Sequence, residues 1–558
     1  MITKNIITGG RKSMAVAIAV TGLLWLASCS KDLGNYDYHD PNTITISSAN
    51  DSFNVRQNDT LKIEVNLSQT VGNPALKYQW YLIQYEATLS NPPVFELDTT
   101  KNLDVQILVV PGLYRVVNKV TDQHSGVSFY KYFKLNVQPA PWGGEGWLVL
   151  QDQSATHNGN DFSIILSKDG ATHGTVYNNL YQQANGRKLP TGTYLMEVMN
   201  YNHSLRRQKV MFAYPGGGVE VKAIDYSDSS YAQNWFLNPP SPIKVDYNGI
   251  IAGGQREVII NDGQLSYRAV NATSVRTPPI PFGAPFLGTW ELAPFAMRFA
   301  SGADMYAGLF DKKNRCLLML NMETNVLVPN RPDIANQHYL PYSGPASALL
   351  PTGTGFDYNN MRHNLIAASN LGQIVNVSLA PATWNCMFRN DAADSTWLIQ
   401  VPFYLAMNNN NVSGRYWLNP ARCPGINTAT LFANPKFLTA PGIFYYASQH
   451  QIFTTTVSST QGNSQAVAGY SFPAGTVIKD MKVFESGYSG PNTAPRTPFP
   501  ATEGRVLVVA TDESANGGGH NVYFININNN GTLQTSFADK YTGFDEIISI
   551  QFKKDVNL

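Results

Sequence analysis

The chain has 558 residues, a formal net charge of +1 and only 14% charged residues. This balance excludes a basic nucleic-acid-binding protein and a coiled coil, because both require far more charge. Hydrophobic residues make up 43% and aromatic residues 11% of the chain, so it is neither disordered nor a polytopic membrane protein. Low charge with abundant Tyr, Thr, Asn and Gly is typical of secreted or surface β-proteins.

Residues 1–28 have the organisation of a signal peptide. A basic start is followed by an apolar run from Met14 to Leu26, which is too short for a membrane-spanning helix of about 20 residues. Small residues then precede Cys29, an arrangement that resembles the bacterial lipoprotein cleavage site. We therefore expect Cys29 to be the lipidated N-terminus of the mature chain and its only membrane anchor. An ordinary signal peptide with an incidental cysteine is the alternative.

Residues 29–41 contain several acidic and polar residues and resemble the tether of surface-exported lipoproteins of Bacteroidetes. The resemblance implies an outer-membrane lipoprotein that faces the cell exterior. A plain solvated linker is compatible with the same residues.

Three cysteines follow Cys29, and their spacing contains no CxxC motif that would indicate a metal or redox site. Cys316 lies in an apolar strand and is expected to be a buried small hydrophobic residue. Pairing of Cys386 with Cys423 is left open by the sequence.

Residues 42–139 show short strands separated by turns. Leu61, Ile63, Val65 and Leu67 alternate as in a half-buried strand, and Trp80 lies in a strand where a sandwich core needs a large anchor. The pattern predicts an immunoglobulin-like β-sandwich.

Within this segment Gly112-Leu113-Tyr114, Val120-Thr121-Asp122 and the final strand Phe133–Val137 resemble a PKD-like domain. The opening sequence from Cys29 to Tyr38 is similar to that of PKD-like lipoproteins of Bacteroidetes. The resemblance covers residues 26–139 and implies association with SusC/SusD-like outer-membrane nutrient importers. It transfers no catalytic residue to this chain.

After a Pro/Gly-rich boundary, residues 142–558 contain recurrent pairs of apolar strands. The starts of these pairs lie between 40 and 78 residues apart, at Trp147, Val210, Ile250, Met305, Leu365, Ile443 and Val506. A propeller blade of four strands needs about 40–45 residues, so the spacing favours a seven-bladed β-propeller with loop insertions. Two further β-sandwiches in tandem are the alternative. The expected fold is thus all-β, an immunoglobulin-like (PKD-like) sandwich followed by a seven-bladed β-propeller.

Signatures of catalysis are absent from the sequence. None of the nine histidines forms an HExxH or HxH motif, and no GxSxG elbow or phosphate-binding glycine loop opens a helix. Thr511-Asp512-Glu513-Ser514 lacks the alternating ligands of a calcium loop. We therefore predict a non-enzymatic protein without cofactor or metal, although carboxylates from separate blades could still meet in space.

The candidate ligand-binding residues are aromatic. Trp384, Trp397, Tyr416 and Trp417 fall in the longest interval between strand pairs, together with the amide run 408–411. Aromatic faces and amide donors suit sugars or extended peptides. The alternative is that these side chains fill the cores between blades.

Together, these features predict a surface lipoprotein that captures an oligopeptide or oligosaccharide beside a SusC/SusD-like importer and that binds no nucleic acid. Other surface lipoproteins are candidate partners in the same complex. A surface-tethered propeller enzyme and a structural or adhesive protein are the two alternatives.

Overall fold

The structure is a computed structural model. It describes residues 42–57, 59–72, 75–84, 94–109, 111–167, 173–200, 208–251, 256–269, 280–286, 290–298, 306–321, 326–328, 361–370, 382–403, 414–435, 442–485 and 502–554. The predicted signal peptide, the tether, Cys29 and the amide run 408–411 lie outside the described residues.

The chain divides into two compact units. The described part of the smaller unit comprises residues 42–53, 60–105 and 113–135, while the larger unit contains residues 54–59, 106–112 and everything from Asn136 onward.

Nine strands occupy the N-terminal region: β1 (Ile44–Ser47), β2 (Ser52–Arg56), β3 (Thr60–Ile63), β4 (Asn66–Gln69), β5 (Leu76–Gln84), β6 (Val94–Asp98), β7 (Leu103–Gln106), β8 (Gly112–Asp122) and β9 (Ser128–Gln138). They form one five-stranded sheet in the order β2-β9-β8-β5-β6 and two strand pairs, β1-β4 and β3-β7. The alternating run 61–67 was expected to be one strand, but it divides into β3 and β4, which pair with different partners.

The predicted anchor Trp80 is fully buried. Its ring stacks on Phe133 at a centroid distance of 5.8 Å, and its Nε1 donates to the carbonyl of Thr100 at 2.9 Å. Leu61 and Ile63 of β3, which pairs with β7 outside the five-stranded sheet, are also buried, as the inner face of a second sandwich layer requires.

The larger unit carries the remaining strands. In its first half these are β10 (Gly146–Asp152), β11 (Asn160–Ser167), β12 (His173–Tyr177), β13 (Leu195–Asn200), β14 (Gln208–Tyr214), β15 (Gly217–Lys222), β16 (Asp228–Tyr231), β17 (Val245–Ile251), β18 (Arg256–Asn261), β19 (Gln264–Ala269), β20 (Met297–Arg298), β21 (Tyr306–Asp311), β22 (Cys316–Asn321) and β23 (Val326–Val328). In its second half they are β24 (Asn364–Asn370), β25 (Ala382–Arg389), β26 (Thr396–Phe403), β27 (Gly414–Trp417), β28 (Phe432–Ala433), β29 (Ile443–Ser448), β30 (Gln451–Thr456), β31 (Gln465–Ser471), β32 (Val477–Val483), β33 (Val506–Asp512), β34 (His520–Asn526), β35 (Asp539–Phe544) and β36 (Glu546–Lys553).

Helices are short and few among the described residues. The two α-helices are α1 (Ser154–His157) and α2 (Leu180–Asn185), and single 3-10 turns occur at Pro141–Gly143, Ala232–Asn234 and Ser514–Asn516. No helix in this part of the chain is long and apolar enough to cross a membrane.

Within the described residues the larger unit contains seven antiparallel sheets. We number them in chain order: sheet I is β12-β11-β10-β36, sheet II β13–β16, sheet III β17–β19, sheet IV β20–β23, sheet V β24–β27, sheet VI β28–β31 and sheet VII β32–β35. The last strand of the chain, β36, pairs with β10, so that Phe552 lies opposite Trp147.

Each sheet packs on the sheet before it and the sheet after it. The clusters between them include Phe162 and Phe212 (I–II), Ala213 and Ile259 (II–III), Ile260 and Leu309 (III–IV), Phe310 and Phe388 (IV–V), Leu398 and Tyr446 (V–VI), Tyr445 and Leu507 (VI–VII), and Val508 and Val149 (VII–I). Consecutive residues of one strand thus enter opposite clusters, which explains why these strands read as continuous apolar runs. Because the succession closes on itself, the larger unit is β-propeller-like, whereas sheets of tandem sandwiches would each pack on one partner.

Strands at one edge of several sheets contact the edge strand of the neighbouring sheet. β36 contacts β13 and β32, β13 contacts β17, and β28 contacts β32. We call these the inner strands, because neighbouring blades of a propeller converge at the axis.

The predicted pair starts correspond to these sheets one by one. Six of them lie within β10, β14, β17, β24, β29 and β33, and Met305, itself outside the described residues, directly precedes β21. The turn of the β14–β15 hairpin is at Pro215-Gly216, where Gly216 has a φ of 76° that favours glycine.

Cys316, Cys386 and Cys423 are all buried and unpaired with one another. Cys386 packs between sheets IV and V and Cys423 between sheets V and VI, so the disulfide left open by the sequence is not formed. Burial as a small apolar residue is confirmed for Cys316.

Candidate functional site

Two groups of residues in the larger unit are candidates for function: the aromatic residues of sheet V and a polar cluster on the inner strands.

Two of the four predicted aromatic residues face sheet IV. Trp384 on β25 and Trp397 on β26 are partly buried and pack against the IV–V core. Trp397 Nε1 donates to Ser395 Oγ at 3.0 Å, and the Arg415 guanidinium lies 5.4 Å from the Trp397 ring centroid. Both tryptophans therefore contribute to packing between sheets.

Tyr416 lies on the opposite face of sheet V and packs against the V–VI core. Its hydroxyl begins a chain of hydrogen bonds: Tyr416 Oη donates to Gln400 Oε1 (3.5 Å), Gln400 Nε2 to Asn385 Oδ1 (3.2 Å) and Asn385 Nδ2 to Asn434 Oδ1 (3.0 Å). The three amide side chains are buried, and burial also raises the pKa of Tyr416. This ladder satisfies polar groups inside the blade, as buried amides require.

Trp417 lies on the outer strand β27, directly opposite Trp397. The side chain of Gln461 accepts from the Trp417 N–H at 3.0 Å and donates to the Arg415 carbonyl at 2.8 Å. Its amide thus pairs with the edge of β27 as another strand would, which protects the edge from aggregation. Tyr416 and Trp417 point to opposite faces, so the four aromatic residues do not converge on one surface. Whether any of them binds a ligand stays a prediction.

The inner-strand cluster consists of Glu197 on β13, Gln551 on β36, and Asp480 and Lys482 on β32. Gln551 Nε2 donates to Glu197 Oε2 at 3.3 Å, and the Ile550 N–H donates to Asp480 Oδ2 at 3.0 Å. Lys482 Nζ lies 3.6 Å from Asp480 Oδ2. Three inner strands from different ends of the chain thus bring two carboxyl groups, an ammonium group and an amide together.

Burial raises the pKa of Glu197 to about 7, an effect opposed by Lys482 and reinforced by Asp480. A carboxyl group that titrates near neutrality beside one that is hydrogen-bonded and paired with lysine can exchange protons or bind a polar ligand. The sequence analysis did not single out these residues. Their only local signal is an acid within an apolar strand, as in Met196-Glu197-Val198.

We expect Glu197→Gln to stabilise the protein above neutral pH. Because the folded-state pKa exceeds the ordinary 4.5, the folded protein holds a proton that the unfolded chain has released, and stability falls as pH rises from about 4.5 to about 7. Glu197 is partly accessible to solvent, so we discount the full effect to about 1–2 kcal/mol. Urea unfolding measured between pH 4.5 and 8 should show that the free energy of unfolding falls less with rising pH in the variant than in the wild type. Glu546→Gln, which removes a more exposed carboxylate that pairs with Lys479 at 2.7 Å, is the matched control.

Metal ligation has no support in the part of the chain that the structure describes, where no group of three or more His, Cys, Asp or Glu side chains could hold an ion. In the turn 511–514, whose sequence lacks the ligand pattern of a calcium loop, Glu513 accepts from the hydroxyls of Thr511 (2.9 Å) and Tyr523 (2.7 Å).

Comparison with known families finds a match in the N-terminal region. The sequence model of the PKD-like family matches residues 29–192, which confirms the predicted PKD-like resemblance and extends it through β12 and α2. The match begins at Cys29. No curated protein matches the sequence.

Several solved structures are similar to the chain in fold. Apo AztD from Citrobacter koseri has 8% identity and a TM-score of 0.33, with 86% of this chain and 98% of that chain covered. A Bacteroides thetaiotaomicron protein of unknown function has 11% identity and a TM-score of 0.26, with coverages of 85% and 96%. The calcium-binding protein regucalcin from Agrobacterium tumefaciens has 8% identity and a TM-score of 0.27, with coverages of 52% and 73%. Similarities at this level of identity do not indicate a ligand for this chain.

Proposed function

We propose that the protein is an outer-membrane lipoprotein on the cell surface that captures a ligand for a SusC/SusD-like, TonB-dependent nutrient importer. In this role it is an accessory subunit without catalytic activity. The observation that carries the proposal is the PKD-like match, because it begins at Cys29, the residue predicted to become the lipidated terminus. A PKD-like sandwich joined to a propeller-like unit suits a surface or binding protein.

We further propose that the larger unit is a seven-bladed propeller. Seven sheets in the described residues, each with a hydrophobic cluster on both sides, support this number. Seven inner strands would surround a central channel, and the inner-strand cluster would then line that channel.

The proposed ligand is an oligopeptide or an oligosaccharide. The polar side chains of Glu197, Asp480, Lys482 and Gln551 offer both donors and acceptors, which hydroxyl, amide and amine groups of such ligands can satisfy.

The proposal is tested by affinity purification of the tagged native protein from detergent-solubilised outer membrane. We expect a TonB-dependent transporter and its SusD-like partner to co-purify in about equal amounts. An unrelated surface lipoprotein with the same tag is the control. Recovery of the protein without a transporter, while the importer is expressed, would refute the association.

A surface-tethered hydrolase is the second candidate, and the inner-strand cluster is the observation that favours it. Burial raises the pKa of Glu197 to about 7, and Asp480 accepts from the Ile550 N–H at 3.0 Å, so a general acid and a second carboxyl group lie in one cluster. Glycan and peptide turnover by the purified protein, lost in Glu197→Gln and Asp480→Asn, would support this candidate. Absence of turnover on both substrate classes would dismiss it.

A further inference from the structure

The smaller unit carries a basic face on the outside of its five-stranded sheet. Successive side chains of a strand point to opposite sides of the sheet, and the buried Trp80 on β5 marks the side that faces the core. Lys77 on the same strand lies three residues before Trp80, and Lys119 on β8 pairs opposite the residue directly before Trp80, so both point outward. On β9, the exposed Lys134 follows the buried Phe133 and lies on the same outer side.

Negative charge on this face is sparse. Arg115 on β8 pairs opposite Ile83 on the outward side and adds a fourth cation. Glu96 on the edge strand β6 pairs opposite Tyr81 and is an outward acid. The described outward side chains of β5, β6, β8 and β9 therefore comprise four cations and one acid, although the net charge of the whole chain is only +1.

Neighbouring carboxylates do not neutralise the three lysines. Among the described residues, no Asp or Glu forms an ion pair with Lys77, Lys119 or Lys134, whereas Lys131 of β9 pairs with Asp51 at 2.8 Å. Cations gathered on one surface repel one another. An anionic surface placed against this face would relieve that repulsion.

Exposed aromatic and apolar side chains stand among the cations. Tyr130 and Tyr132 on β9 are 51% and 55% exposed, and Leu113 on β8 is 52% exposed. Tyrosine is enriched where membranes meet water, because its ring is apolar and its hydroxyl is polar. Lysine likewise rests its apolar stem on such a surface while its ammonium group reaches the headgroups. This combination favours a lipid surface as the partner.

The chain also keeps this face close to the membrane in which Cys29 is predicted to be anchored. Asn42, the first described residue, lies at the end of β8, where its Nδ2 donates to Asp122 Oδ2 at 3.2 Å. The segment from Cys29 to Asn42 spans at most about 45 Å when fully extended. Because packed sheets lie only about 10 Å apart, this length allows the outer face of the sheet to reach the lipid surface.

We propose that the outer face of the five-stranded sheet docks on the anionic lipid headgroups of that membrane. The lysines bind headgroup phosphates, and the tyrosine rings lie at the level of the headgroups. The tether gives the face a high effective concentration at the surface, so a weak affinity is enough to orient the smaller unit. Salt screens exposed charges, so the docking is lost in a high-salt wash and Cys29 remains the anchor. This docking goes beyond the proposed function and does not depend on an importer.

The test measures co-sedimentation of the mature chain without its acyl anchor, residues 30–558, with lipid vesicles. This chain contains every described residue of both units. Vesicles of phosphatidylcholine with about 30% phosphatidylglycerol are compared with pure phosphatidylcholine vesicles at about 0.05 M and about 0.5 M salt. Each cation near an anionic surface raises the affinity about fivefold, so we expect the anionic vesicles to bind at least about thirtyfold more tightly at the lower salt. The difference should disappear at the higher salt.

Variants separate this face from general surface charge. The face variant combines Lys77→Gln, Lys119→Gln and Lys134→Gln, and its affinity for anionic vesicles should fall at least about tenfold. The matched control loses the same charge at three exposed lysines elsewhere and should bind almost as wild type does: Lys62→Gln, Lys244→Gln and Lys312→Gln. Thermal melting checks that each variant folds. If the face variant melts early, Lys77→Gln with Lys134→Gln, both at exposed positions, replaces it.

Equal binding to the two kinds of vesicle, no binding at the lower salt, or an equal loss of affinity in the face variant and the matched control would overturn the proposal. Tighter binding of soluble poly-glutamate than of anionic vesicles at the same concentration of charge would also overturn it, in favour of an acidic protein partner.

Discussion

Replacing Arg268 with methionine is expected to lower the free energy of unfolding of the larger unit by about 3–5 kcal/mol at pH 7. Arg268 on β19 is 3% exposed, and it donates to Glu257 at 2.8 and 2.9 Å and to Glu220 at 2.6 Å. The two carboxylates are themselves buried, one on sheet II and one on sheet III. Without the guanidinium, Lys209 would be left to pair with both carboxylates, since it contacts Glu220 and Glu257.

The pH dependence of this effect identifies its cause. Burial alone would raise the pKa of Glu257, but Arg268 and Lys209 outweigh it and lower the pKa to about 2. The stabilisation is therefore fully present above the ordinary value of 4.5 and is lost as pH falls through about 2. The difference between wild type and Arg268→Met should be largest near neutral pH and should shrink toward pH 3.

Urea unfolding, followed by tryptophan fluorescence at pH 7 and pH 3, measures the loss of unfolding free energy and its dependence on pH. Arg268→Lys keeps the positive charge and should lose less unfolding free energy than Arg268→Met. A second control combines Arg268→Met with Glu257→Leu, which removes one buried carboxylate and leaves Lys209 paired with Glu220, and should restore part of the stability. A loss that is the same at both pH values would point to packing of Arg268 on Phe282, 4.3 Å away, instead of charge.

The strands of this protein were predictable because their apolar side chains follow local patterns. Trp80 stands in an apolar strand flanked by tyrosines, and its burial as the sandwich anchor is confirmed. The pair starts at Trp147, Val210 and Val506 were recognisable because both faces of each strand are covered by neighbouring sheets, which demands continuous apolar runs.

Contacts between distant parts of the chain could not be predicted in this way. Nothing in the sequence near Phe552 indicates that β36 pairs with β10 about 400 residues earlier, yet this pairing completes sheet I. The same closure places Gln551 beside Glu197. The inner-strand cluster was therefore missed, since its members share no sequence motif and meet only when the succession of sheets closes.

The aromatic residues show a different limit of sequence reasoning. A tryptophan or tyrosine looks the same in a sequence whether its ring stacks on a ligand or packs in a core. Only the register of β26 and β27 reveals that Tyr416 faces sheet VI while Trp417 faces the other side.

The largest expected effect on localisation comes from Cys29→Ala, which we expect to abolish acylation and to release the protein from the membrane. The apolar run before Cys29 would be removed with the signal peptide, so the acyl chains on Cys29 would provide the anchor. Each buried CH₂ contributes about 0.8 kcal/mol, which makes one chain marginal and several chains sufficient for stable anchoring. Both units should fold unchanged, because Cys29 precedes the first described residue of either unit.

Incorporation of labelled palmitate measures acylation, and membrane fractionation after a high-salt wash measures attachment to the membrane. Wild type should take up the label and stay with the membranes, and Cys29→Ala should do neither. Cys423→Ala is the matched control, since its thiol is buried between sheets V and VI and is not available for lipidation. If wild type takes up no label, or if the Cys29 variant still sediments with membranes, Cys29 is not the anchor. The proposed place of the protein beside an importer would then lose its main physical support, because capture at the cell surface requires that the protein be held there.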